Sequence, residues 1–152
     1  MTKYEVYEWL NRPTKLTYDI KAKIRIAEEL RSCLLPSAIR YDKDKIMTSY
    51  GTNADPMAEI AARVEVVIKE IAELQLQRAT AICELDDVFK TLDPREREVM
   101  SRYYISRKSI ATICRETNYH KRWVYEMRSR GVDHVKDFLN TAQKCTKNDL
   151  LC

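Results

Sequence analysis

The sequence predicts an all-α protein: a helical N-terminal half folded as a hairpin or coiled-coil-like stalk, followed by three further helices towards the C-terminus. Three observations carry this. Two glycines and four prolines among 152 residues leave few turn residues for a many-stranded sheet. Apolar residues recur at steps of three and four over long stretches, which is the period of one helix face. Proline and aspartate punctuate those stretches as stop and start signals.

Tyr4 to Leu10 form a short lead-in helix that ends near Asn11-Arg12-Pro13, because proline disfavours helical geometry in the residue before it. From Thr14 to Leu35, the residues Leu16, Ile20, Ile24, Ala27, Leu30 and Leu34 line one face of a second helix, which Pro36 stops. Residues 36–56 contain two prolines, Gly51 and Asn53 without a sustained period, so they read as a loop. Asp55 and Pro56 then have the form of an N-cap and a first-turn proline. Beyond them Ile60, Val64, Val67, Ile71, Leu74, Arg78, Ala81, Leu85 and Val88 step by four and three as far as Leu92. This stripe of about four heptads, with Arg78 its polar member, fits a hairpin with helix 14–35 or a seam between two copies.

Leu92-Asp93-Pro94 repeats the punctuation, with Asp93 as N-cap and Pro94 at the first position of a helix over 94–105. Ser109 can cap a helix from Ile110 to Thr117, whose Ile110, Ile113 and Cys114 share one face. Asn118 suits the left-handed conformation of a tight turn. Tyr119 and His120 lead into a third helix in which Val124, Met127, Val132, Val135 and Phe138 or Leu139 can face inward. Trp123 packs on the first of these helices or protrudes. Helix, short turn, helix, tight turn, helix is the layout of a helix-turn-helix.

The whole chain carries a net charge of only +4, but residues 101–131 hold eight Lys and Arg against Glu116 and Glu126. That concentration, placed on the last helix, points to double-stranded DNA. Lys121, Arg122, Tyr125, Arg128 and Ser129 fall on its N-terminal half, the part that enters a major groove in this motif, with His120 as its cap. Arg107 and Lys108, with Ser109 at the N-terminus of the preceding helix, are placed to clamp a phosphate.

From Leu92 to Leu139 the chain resembles the promoter-reading C-terminal region of bacterial sigma factors. LDPREREVMSRYYI matches the opening helix, SIATICRETN the second, and HKRWVYEMRSRGVDHVKDFL the reading helix. It departs where Thr112-Ile113-Cys114 stands for Glu-Ile-Ala and where Asn118 replaces the turn glycine. Taken whole, the chain is similar to small phage and prophage late-gene regulators of the ArpU and RinA kind. That resemblance implies activation of a late operon through sequence-specific DNA binding and contact with RNA polymerase. A terminase small subunit also joins a helix-turn-helix to a helical stalk, but such proteins usually place the DNA-binding motif first. An adaptor that grips polymerase or a sigma factor without reading DNA would favour an acidic third helix.

The expected organisation is therefore an assembly or partner region over 1–91, a helix-turn-helix over 92–140 and a flexible tail over 141–152. Dimerisation or higher assembly is assigned to the N-terminal helices. No enzyme, metal or cofactor is expected: the chain holds two histidines, His120 and His134, and no glycine-rich phosphate loop. His134 reads as a surface or packing residue. The five cysteines are widely spaced without a CxxC pair, which suits a reducing bacterial cytoplasm. Neither a signal peptide nor an apolar run of membrane-spanning length is apparent.

Overall fold

The computed structural model describes residues 1–34 and 56–148, with side chains as far as residue 142. It is all-α. In chain order the helices are α1 (Lys3–Leu10), α2 (Arg12–Leu34), α3 (Pro56–Phe89), α4 (Pro94–Met100), α5 (Ile110–Thr117) and α6 (Lys121–Asn148). A π-helical turn, Ser101–Ile105, continues α4. The expected loop at 36–56 lies outside the described residues except for Pro56, which opens α3.

Local chemistry explains the helix ends. The Thr2 hydroxyl accepts from the Glu5 amide while the Glu5 carboxylate accepts from the Thr2 amide at 2.6 Å, closing a capping box on α1. A single residue, Asn11, separates α1 from α2. Its side-chain amide donates to the Tyr7 carbonyl at 2.9 Å, and its own carbonyl accepts from the Thr14 and Lys15 amides. Pro13 falls in the first turn of α2, where a missing N–H costs nothing.

The chain divides into two compact units, Met1–Thr17 with Leu76–Cys152, and Tyr18–Gln75. The division cuts across the expected boundary at residue 91, because the first helix and the end of α3 pack with the C-terminal helices. Val6, Leu10, Leu85, Phe89, Met100, Tyr104, Val132 and Val135 form one buried cluster. Val99, Ile113, Val124 and Met127 form a second, nearer α5. Polar bonds close the same seam: Lys3 Nζ lies 2.8 Å from Asp133, and the N-terminal amine donates to Asn140 Oδ1. The Asp133 carboxylate, hydrogen-bonded to Lys3, raises that ammonium above its ordinary pKa.

α6 is longer than expected. The backbone continues helical to Asn148, through the first part of the predicted tail. Neither proline nor glycine occurs after Gly131 to break it.

In the second unit α2 runs antiparallel to α3. Lys23 Nζ meets Glu70 Oε2 at 2.5 Å, while Ile26 and Leu30, further along α2, share a groove with Ala62, Val66 and Val67 earlier in α3. Among its described residues Ile20, Ala27 and Val64 are buried, whereas Tyr18, Ile24, Ile26, Met57, Val66 and Ile68 are exposed. Among the described residues, this unit presents more large apolar side chains to solvent than it buries.

Because Leu10 is fully buried against residues more than a hundred positions away, Leu10→Ala is expected to destabilise the first unit by about 2–5 kcal/mol. Urea unfolding followed by tryptophan fluorescence, from Trp9 and Trp123 together, checks this. An unchanged midpoint would separate α1 from the C-terminal core.

Candidate nucleic-acid interface

Three local features set the directions of the candidate side chains. Asp93 caps α4 through its carboxylate, which accepts from the Arg95 amide at 3.4 Å, with Pro94 following. The helix then widens into the π turn, marked by the Ser106 amide bonding to the Ser101 carbonyl at 3.0 Å. The sequence period alone predicted a regular helix to 105. Tyr104 is buried in the first cluster and Tyr103 meets it edge-on, ring centroids 4.9 Å apart. Burial raises the Tyr104 phenol above its ordinary pKa.

Arg107 follows with φ 57°, and Asn118 shares that value. Both lie in the left-handed region, uncommon for side chains with a Cβ. Asn118 turns the chain between α5 and α6 as the sequence indicated. Ser109 caps α5, its hydroxyl accepting from the Thr112 amide at 3.2 Å and lying 2.9 Å from the Thr112 hydroxyl.

The sequence-chosen residues separate into three groups. His120, Lys121, Arg122, Tyr125 and Ser129 are exposed on α6 and its approach, with Tyr125 46% accessible. Arg107, Lys108 and Ser109 sit together before α5. Arg107 is exposed, but Lys108 is half-buried and its ammonium contacts both Glu116 carboxylate oxygens, at 2.6 and 2.8 Å. Arg102 joins this network at 2.5 Å from Glu116 and 2.9 Å from Glu98. Hydrogen bonding from Lys108 holds the Glu116 carboxyl below the ordinary glutamate pKa.

Arg128 does not belong with the outward group. Its guanidinium lies 4.1 Å above the Tyr103 ring, and Nε donates to the Tyr104 hydroxyl at 3.2 Å. The reason is phase: Val124, Arg128, Gly131 and Val135 step by four, three and four along the inward side of α6, where 124, 131 and 135 are buried. Trp123 is half-buried, its ring tilted 40° against Tyr119 with centroids 3.9 Å apart beside the second cluster. His134 is an exposed residue whose Nδ1 lies 2.7 Å from the buried Glu96 carboxylate, tying α6 to α4.

Sequence reasoning counted Arg115 and Glu126 in the charge balance of 101–131 but gave neither a site role; Arg115 is exposed on α5, and Glu126 is exposed on α6 and paired with Arg130 at 2.7 Å. The helical step from Arg122 was signal enough for Glu126. Among the described residues no three His, Cys, Asp or Glu side chains gather as a metal site, and no helix is long and apolar enough to cross a membrane. No family model, curated protein or solved structure matches the chain.

Two outcomes follow from this geometry. Arg128→Ala should cost about 1–3 kcal/mol through the lost stacking and hydrogen bond, whereas Arg122→Ala should stay within about 0.5 kcal/mol as a surface change; thermal unfolding of both variants compares them. The Glu116 carboxyl should titrate below the ordinary range in carbonyl-detected NMR. Because its folded pKa is depressed, its contribution is complete above the ordinary glutamate pKa and is lost as pH falls through the folded value. Lys108→Ala should move that titration back upwards.

Proposed function

We propose that the protein is a sequence-specific double-stranded DNA-binding transcription regulator, of the phage late-gene activator kind, that works with RNA polymerase. The observation that carries this reading is the exposed set Lys121, Arg122, Tyr125 and Ser129 within the first three turns of α6. The opposite side of those turns is fixed by buried Val124 and Met127. A cationic helix face held rigidly behind a left-handed turn suits the recognition helix of a helix-turn-helix, with α4 and α5 as its supports.

In this reading Arg122 and Tyr125 face base edges and sugar, while Lys121 and Arg107 neutralise phosphates. Lys108 reaches a phosphate by exchanging its half-buried Glu116 pairing for it. Ser109 keeps the α5 N-terminus ordered and oriented towards the backbone. Arg128 acts from behind, as packing under the reading helix.

The apolar side chains exposed on Tyr18–Gln75 support self-association through that unit, which would let two copies read paired half-sites about one helical turn apart. A regulator of this kind acts in the bacterial cytoplasm, on the nucleoid.

The test is titration of the full-length protein onto a fragment carrying its own gene and flanking intergenic DNA, at two salt concentrations against scrambled competitor. Tight, salt-sensitive, competitor-resistant binding is expected. Arg122→Ala and Tyr125→Ala should weaken specific binding more than non-specific binding, and Lys108→Ala should weaken both alike and lower the salt slope by about one. Equal losses on every sequence from all three variants would overturn the recognition-helix assignment.

A further inference from the structure

The outward side of α6 carries an acidic residue among its cations. Arg122, Glu126 and Ser129 follow at intervals of four and three, so they share one helix face, and all three are exposed. The Glu126 carboxylate is held by Arg130 one turn on, but both side chains are more than half exposed, at 51% and 58%. Such a pair is screened by water and yields to a better donor.

We propose that this face selects G·C base pairs, Arg122 donating to guanine and Glu126 accepting from cytosine about one or two base pairs further on. The inference rests on α6 entering the major groove. Its chemistry is that of complementary edges. A guanidinium only donates, so it requires two neighbouring acceptors, which guanine presents as O6 and N7. A carboxylate only accepts, and the cytosine N4 amine provides a donor for it. Adenine presents a donor beside an acceptor and is matched by the amide of Asn or Gln. No Asn or Gln occurs between residues 119 and 139.

The spacing agrees. Residues four apart on a helix are about 6 Å apart along its axis, and base pairs rise about 3.4 Å each, so the two contacts fall on nearby steps of one half-site. Tyr125, 46% exposed on the flank of the same face, offers its ring to a thymine methyl beside them. Glu126 also penalises wrong sequences. A negative group facing the polyanion lowers affinity for DNA in general, and the loss is offset only where a base supplies a hydrogen to it.

The experiment is selection by the full-length protein from duplexes randomised over about two helical turns, repeated with Glu126→Gln. The expected result is a half-site with invariant G·C pairs, in which replacing the contacted guanine by 7-deazaguanine weakens binding about tenfold or more. Glu126→Gln should move the preference at one position from cytosine to adenine while the Arg122 guanine stays. A consensus of A·T pairs at the contacted steps, or an unchanged consensus for Glu126→Gln, would overturn the base assignment while leaving DNA reading intact. Failure to enrich any sequence over the starting pool would overturn the DNA-reading function and this inference together.

Discussion

The close approach of α6 to α4 at Gly131 is the constraint on which the candidate interface depends. A Cβ built on Gly131 would lie 2.8 Å from Met100 Cγ and 3.1 Å from its sulfur, and Met100 is itself fully buried. Any Cβ there would force the Met100 side chain to shift, so glycine lets the two helices meet as they do. Glycine in mid-helix costs about 1 kcal/mol of helix propensity, and overpacking this contact would cost a comparable amount or more. With the contact made, Val132 and Val135 enter the first cluster, Val124 and Met127 enter the second, and the opposite face of the helix is fixed.

The π turn and the tyrosine pair work in concert with this contact. Tyr104 fills the first cluster beneath α6 while Tyr103 stands at the edge of both clusters and takes the Arg128 guanidinium on its face. The positive charge of Arg128 thus sits on the inner side of α6, against the two aromatic rings. The Arg102–Glu116–Lys108 network pins the loop before α5 in a similar way, joining the end of α4 to the far end of α5. Charge within 101–131 therefore has two uses. Part of it holds the three helices together, and the exposed remainder, including Lys121 and Arg122, is what can meet a polyanion.

Much of the local architecture was legible in the sequence because it follows from short-range chemistry. Asp93, Ser109 and Asn118 were identified from their caps and turn propensities, and each occupies that role. The inward positions of α6 were legible from period. Arg128 was misplaced because a long cationic side chain was sorted by charge before phase; the step from Val124 to Gly131 and Val135 fixes it on the inner side. The π turn was not legible, since a single residue's slip in hydrogen bonding leaves the apolar period almost unchanged. The composition of the first unit was also hidden. Val6 and Leu10 meet Val132 and Val135 across nearly the whole sequence, and no local pattern reports a contact of that separation.

That separation has a consequence for biosynthesis. α1 leaves the ribosome before α6, so Val6 and Leu10 wait for Val132 and Val135 before their cluster is complete. About 125 residues intervene, which at roughly 5–20 residues per second is a delay of about 6–25 s. During that interval Val6 and Leu10 lack the part of their shelter that Val132 and Val135 provide. A truncated chain is therefore left with part of its core missing and with apolar residues bare that the full chain buries.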